Sequence, residues 1–176
     1  MNGPAHVARV RLLALSLVFA SASACGNGPE FTPVPVCPAL PTATAALDSV
    51  LVQGAQGTVY ASTLYAGLAT LSNLTNDFRA RWTANEPVES ASFRSAFADY
   101  SGRVICAARA LRDLPAPDAT YARFHVAFSR AMDQQVATAQ LGRTAVQQRN
   151  VTQYRRWIAQ QQAMPALIRD AFTLLP

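Results

Sequence analysis

"SFRSAFADYSGRVICAARALRDL", residues 92–114, decides how the chain folds. Phe93, Phe97, Tyr100, Val104, Ala107, Leu111 and Leu114 return at steps of four and three. Those steps put all seven on one side of an α-helix, in a stripe narrow enough for the seam of a bundle. Pro87 just upstream suits a first helical turn, and Glu89 suits the positive end of the helix dipole. Pro115 and Pro117 end the segment, because proline has no N–H to continue the ladder. Cys106 lies two residues past Val104, off the seam, where a partly exposed thiol is expected.

The flanking segments read in the same way. Upstream, Ala61, Leu64, Leu68, Leu71, Thr75, Phe78 and Trp82 form a second seam, flanked by Tyr65 and Leu74. Leu47, Val50 and Leu51 extend that pattern towards the N-terminus across Gly54 and Gly57. Each glycine costs about 1 kcal/mol against alanine in a helix interior, so one long bent helix or two shorter ones both fit. Downstream, Asp118 stands where an N-cap is wanted, and Tyr121, Phe124, His125, Phe128, Met132, Val136 and Ala139 share a side of a third helix. Beyond the polar run Gln147-Gln148-Arg149-Asn150 the apolar phase moves to Val151, Tyr154, Trp157 and Ile158. Asn150 can cap this fourth helix, with Gln153 placed as a capping-box partner. Pro165 is expected to kink or restart it before Leu167, Ile168, Phe172 and Leu175. Short connections favour antiparallel neighbours, so residues 42–176 are expected to form an all-α, antiparallel up-down four-helix bundle.

Before the bundle, Arg9 and Arg11 precede the apolar run Leu12–Ala20, and small residues follow. That is the layout of a secretory signal, so residues 1–24 are read as a signal peptide. The run is far short of the ~20 apolar residues a permanent membrane span needs. Ala22-Ser23-Ala24 fits an ordinary cleavage site, which would release a free secreted or periplasmic protein. Ala22-Ser23-Ala24-Cys25 also resembles a bacterial lipobox, in which the cysteine becomes residue one and is lipidated on its sulfur. The likeness departs at Ala22, where lipoboxes usually carry leucine. Cysteine parity favours the lipoprotein: with Cys25 lipidated, Cys37 and Cys106 remain to pair with each other, whereas free secretion strands one thiol of three. Residues 25–41, rich in Gly and Pro, then read as a flexible tether. A Cys37–Cys106 disulfide would staple that tether along the second helix.

The stretch from Pro117 to His125 loosely resembles small bacterial helical-bundle lipoproteins of uncharacterised role, which often place a proline-rich break shortly before a histidine. That resemblance implies a helical bundle at a cell membrane or outer membrane, on its extracytoplasmic face. It implies no activity.

The composition agrees with a solvated domain. Without the signal, thirteen arginines face ten acidic residues, a net charge near +3, with no lysine. Dispersed arginines on an exported chain do not indicate a nucleic-acid partner; the expected partners are the membrane, through Cys25, and an envelope protein. His125 is the only histidine beyond the signal, and its place between Phe124 and Phe128 reads as a buried or half-buried imidazole satisfied by a hydroxyl, acid or backbone group. The functional alternative makes His125 a contact for a small ligand or metal held between helices. A Ser129, His125 and Asp118 set can be drawn, but a nucleophile on a helix interior lacks the strained turn and oxyanion donors that acyl transfer needs. Inward Glu-x-x-His pairs and C-x-x-C-H are absent, and Met132 and Met164 read as core filler. No cofactor, metal or catalytic residue is therefore expected; an enzyme is the third reading. Trp82 and Trp157 read as core or core-edge residues, and Arg155, Arg156 and the glutamines 147, 148 and 160–162 as a solvated face.

Overall fold

A computed structural model describes Cys37 and residues 55–82 and 88–175. Residues 1–36, 38–54 and 83–87, and with them the expected signal peptide, Cys25, Leu47, Val50, Leu51, Gly54, Pro87 and the rest of the expected tether, lie outside the described residues. Four helices follow in order: α1 Ala55–Arg81, α2 Ala91–Arg112, α3 Ala122–Gln147 and α4 Val151–Phe172, with a 3-10 turn at Ala119–Tyr121 before α3. Among the described residues there is no strand, and the chain is an all-α four-helix bundle.

Each helix starts and stops for a local reason. Ser90 caps α2, its hydroxyl accepting from the Phe93 amide at 3.3 Å. Asp118 caps the 3-10 turn, accepting from the Thr120 amide at 2.7 Å, and α3 continues from that turn. Asn150 caps α4 by accepting from the Gln153 amide at 3.0 Å. The reciprocal half of the expected capping box is not made: Gln153 Oε1 is buried without a hydrogen-bond partner among the described residues. The end of α3 is sharp. Arg149 takes a left-handed φ of 53°, and the amides of Asn150 and Arg149 close on the carbonyls of Ala145 and Val146 at 2.8 and 3.2 Å. This is a Schellman closure, made by arginine where glycine is commoner.

The helices run up and down in turn. Thr75 on α1 meets Tyr100 on α2, Ser129 donates to the Arg112 carbonyl, and Gln135 donates to Gln161, so each pair of neighbours is antiparallel. Phe93, Phe97, Tyr100, Val104, Ala107 and Leu111 of the α2 stripe are buried and Leu114 is half-buried. α2 buries more than the stripe, because α1 and α3 both pack on it. Ser101, Gly102, Ile105, Cys106 and Ala108 are also buried. This corrects the expectation for Cys106: it is 4 % exposed, not half in water. The Cα of Cys37 lies 5.0 Å from its own, with the sulfurs at bonding distance. That separation suits a cystine, and closing a span of 69 residues would stabilise the fold by about 4 kcal/mol in the chain-entropy description.

One other expectation changes, and one residue not singled out from sequence is buried. α4 runs through Pro165 without a break. Pro165 is exposed, so water can satisfy what the missing N–H leaves open. Arg94, on the core side of α2, is buried and donates to the backbone carbonyls of Glu89 and Val88. Its guanidinium thus ties down the chain entering α2, with both bonds made from Nη1.

The ring of helices is not closed evenly. α1 packs on α2, α2 on α3 and α3 on α4, but the Cα atoms of α1 and α4 nowhere come within 8 Å. Those two helices meet through side chains alone, and this open seam holds the candidate site.

Candidate functional site

Phe78 in the last turn of α1 and Trp82 just past its end are one turn apart and share a face, the Trp82 amide donating to the Phe78 carbonyl at 2.9 Å. On α4, Tyr154, Trp157, Ile158, Gln161 and Gln162 recur at helical spacing and face them across the seam. The floor beneath is α2, through Phe93 and Phe97, both wholly buried. Trp82 and Tyr154 stand edge-on to Phe93, with ring centroids 5.5 and 5.8 Å away. Phe78 and Trp157 stand edge-on to Phe97, at 5.5 and 4.8 Å. Two rungs of aromatic rings thus line a half-open groove of about 290 Å³.

Both walls are braced from behind. Phe78 stacks on Tyr100 at 4.4 Å, and the Tyr100 hydroxyl lies 3.4 Å from that of Thr75. Burial raises the pKa of the Tyr100 phenol, with the Thr75 hydrogen bond and the Arg79 charge pulling the other way. Opposite, Tyr154 and Trp157 stack at 5.1 Å. Trp157 lies so close to α3 that a Cβ on Gly142 would come 2.6 Å from its ring. Only a glycine permits that approach without a shift.

Three polar residues complete the lining: Arg79, Gln161 and Gln162. Arg79 is the one charged group among the described residues of the groove. Gln161 is oriented by its neighbour, since buried Gln135 donates from Nε2 to Gln161 Oε1 at 3.3 Å. That bond holds the carbonyl oxygen of Gln161 towards α3 and leaves its NH2 group as a donor for the groove. Half-buried Gln160 beside it accepts from the buried Thr138 hydroxyl at 3.5 Å.

Two further clefts differ in character. One of about 280 Å³ between α1 and α2 is lined by Asp77, Arg81, Asp99 and Arg103, whose charges balance. Its Arg103–Asp99 pair at 3.8 Å is exposed and contributes little. The other, about 20 Å³, lies at the opposite end of the α1–α4 seam between Tyr60, Tyr65, Phe124 and Phe172.

The residues singled out from sequence are dispersed. His125 is half-buried on α3, its Nδ1 buried without a hydrogen-bond partner among the described residues, and it lines none of these three clefts. Ser129 donates to the Arg112 carbonyl and Asp118 holds its cap, so neither is directed at His125. Met132 and Met164 are buried. Arg155 and Arg156 are exposed, but Gln160 and Gln161, read as solvated, are half-buried. Among the described residues no three of His, Cys, Asp and Glu gather where a metal could be held, and no helix is long and apolar enough to cross a membrane. Arg79 and Gln161 carried no signal of their own. The available one was the pair of tryptophans at inward positions of the first and last helices, two bulky rings for one narrow seam.

Compared with known proteins, the chain matches no family model, no curated protein and no solved structure.

Proposed function

We propose that this protein is a lipid-anchored, extracytoplasmic binding module, tethered through Cys25, that captures its partner or ligand in the groove between α1 and α4. The observation that carries the reading is the groove itself: a braced aromatic surface left open where the bundle seam would otherwise close. Aromatic walls with a few convergent polar groups are the usual make-up of a binding site. The signal-like N-terminus and the parity of the cysteines support the anchor. Intact mass of the protein extracted from its native membranes tests that half. A chain beginning at Cys25 with added acyl mass is expected; the same chain without it would make the protein freely secreted. The groove half is tested by a naphthalene-based polarity dye. Saturable one-to-one binding, lost in Phe78→Asp, is expected, and a dye response that ignores Phe78→Asp would move the site elsewhere.

A second reading places a ligand at His125, because its Nδ1 is buried and has no partner among the described residues. A native-mass adduct that disappears in His125→Ala, with Phe78→Asp leaving it in place, would favour this site over the groove.

A further inference from the structure

Resting on the groove as the binding site, we infer that its ligand is an amphiphilic acid: a small molecule with an elongated apolar body and one carboxylate. Shape gives the first part. The α4 wall runs from Tyr154 to Gln162, two turns and about 12 Å of helix axis. The groove offers about 290 Å³, near the lower limit of small-molecule sites. A single chain or narrow ring system fits a groove of that size.

Polarity gives the second part. The groups that the groove presents at its polar positions are the five guanidinium N–H of Arg79 and the amides of Gln161 and Gln162, with the Gln161 oxygen already accepting one bond from Gln135. No acidic side chain among the described residues lines the groove, so a cationic ligand finds ring faces but no carboxylate there and meets the like charge of Arg79. The two glutamines sit at one end: α1 and α4 are antiparallel, and Gln161 and Gln162 lie one turn beyond Trp157, while Arg79, next to Phe78, stands midway along the groove between the glutamine half and the aromatic half. The Trp82–Tyr154 rung at the other end is aromatic. A ligand charged at one tip and apolar along its length matches that gradient, and a single guanidinium matches a single carboxylate.

The chain's two tryptophans both line the groove, so tryptophan emission reports on it directly. The experiment titrates decanoate, decanol and decylammonium, below micelle formation, into the full chain carrying Cys25→Ser, so that no acyl group competes. Decanoate is expected to shift the emission saturably, with decanol at least about tenfold weaker and decylammonium giving no saturation. Arg79→Gln and Gln161→Glu should each weaken decanoate about tenfold and leave decanol unchanged. Equal binding of decanoate and decanol, indifferent to both variants, would overturn the acid while keeping the groove as an apolar binding site. No response to any probe would remove the groove reading as well. A dimer in sedimentation that Trp82→Arg dissolves would make a second copy of the chain the occupant, and the inference would fall.

Discussion

The α1–α4 seam has two ends made of the same kind of residue, and they behave differently. At one end Phe172 reaches across from α4 to Tyr65 on α1, at 6.0 Å, and also rests on Phe124 and Phe128 of α3. Only about 20 Å³ of space remains there. At the other end the rings of each wall lean on the α2 floor and on their own braces, and about 290 Å³ stays open. Aromatic content does not decide which end closes; the direction in which each ring is held does. Gly142 lets Trp157 fall back against α3, and Tyr100 draws Phe78 towards α2, so both walls are pulled away from the gap.

The contrast can be broken most severely at its floor. Phe97 is wholly buried and touches Phe78, Phe93, Tyr100, Tyr154 and Trp157. Phe97→Ala should cost about 3–5 kcal/mol in chemical denaturation and abolish the fluorescence response of the groove. Phe172→Ala should cost less, about 2 kcal/mol, because the ring is half-buried. It should also open the closed end, seen as a second dye-binding site that the native protein lacks. Gly142→Ala should cost about 1–2 kcal/mol, the strain of overpacking exceeding the gain in helix propensity. By pushing Trp157 forward it should narrow the groove and weaken decanoate, with no change at the Phe172 end.

The smallest effect is expected at Tyr60. Its hydroxyl is buried at the closed end without a hydrogen-bond partner among the described residues, and burial together with the neighbouring Tyr121 pushes its pKa up to about 12. Tyr60→Phe should therefore be neutral or slightly stabilising at pH 7. The sign at high pH follows from linkage. The folded state holds the proton more tightly than the unfolded chain, whose phenols titrate near pH 10, so the native protein loses stability as pH rises from about 10 to about 12. Tyr60→Phe should blunt that loss in thermal melts between those pH values; equal alkaline sensitivity in both proteins would count against the buried hydroxyl.

The number of helices and the faces they bury were legible in the chain, since steps of three and four from Phe93 to Leu114 report which side of a helix points inward. How closely two helices approach is a different matter. Phe78, Trp82 and Trp157 read as inward residues and are inward residues, yet they line a gap because α1 and α4 stay apart. Periodicity along one helix holds no measure of that spacing. Cys106 and Arg94 were hidden for a related reason: α2 is packed on two sides, and a polar or off-seam position is buried once a second neighbour covers it. Gln161 looked solvated because its ordering bond comes from Gln135, twenty-six residues away.

The place of Cys37 sets a length. Twelve residues separate it from Cys25, and a fully extended chain covers at most about 3.6 Å per residue. With Cys25 as the anchor and Cys37 fastened to α2, the point of attachment on the bundle can stand no more than about 43 Å from the bilayer surface. Reduction would free Cys37 from α2 and lift that limit. One cystine would then decide whether the groove works close against its own membrane or across a wider span of the envelope.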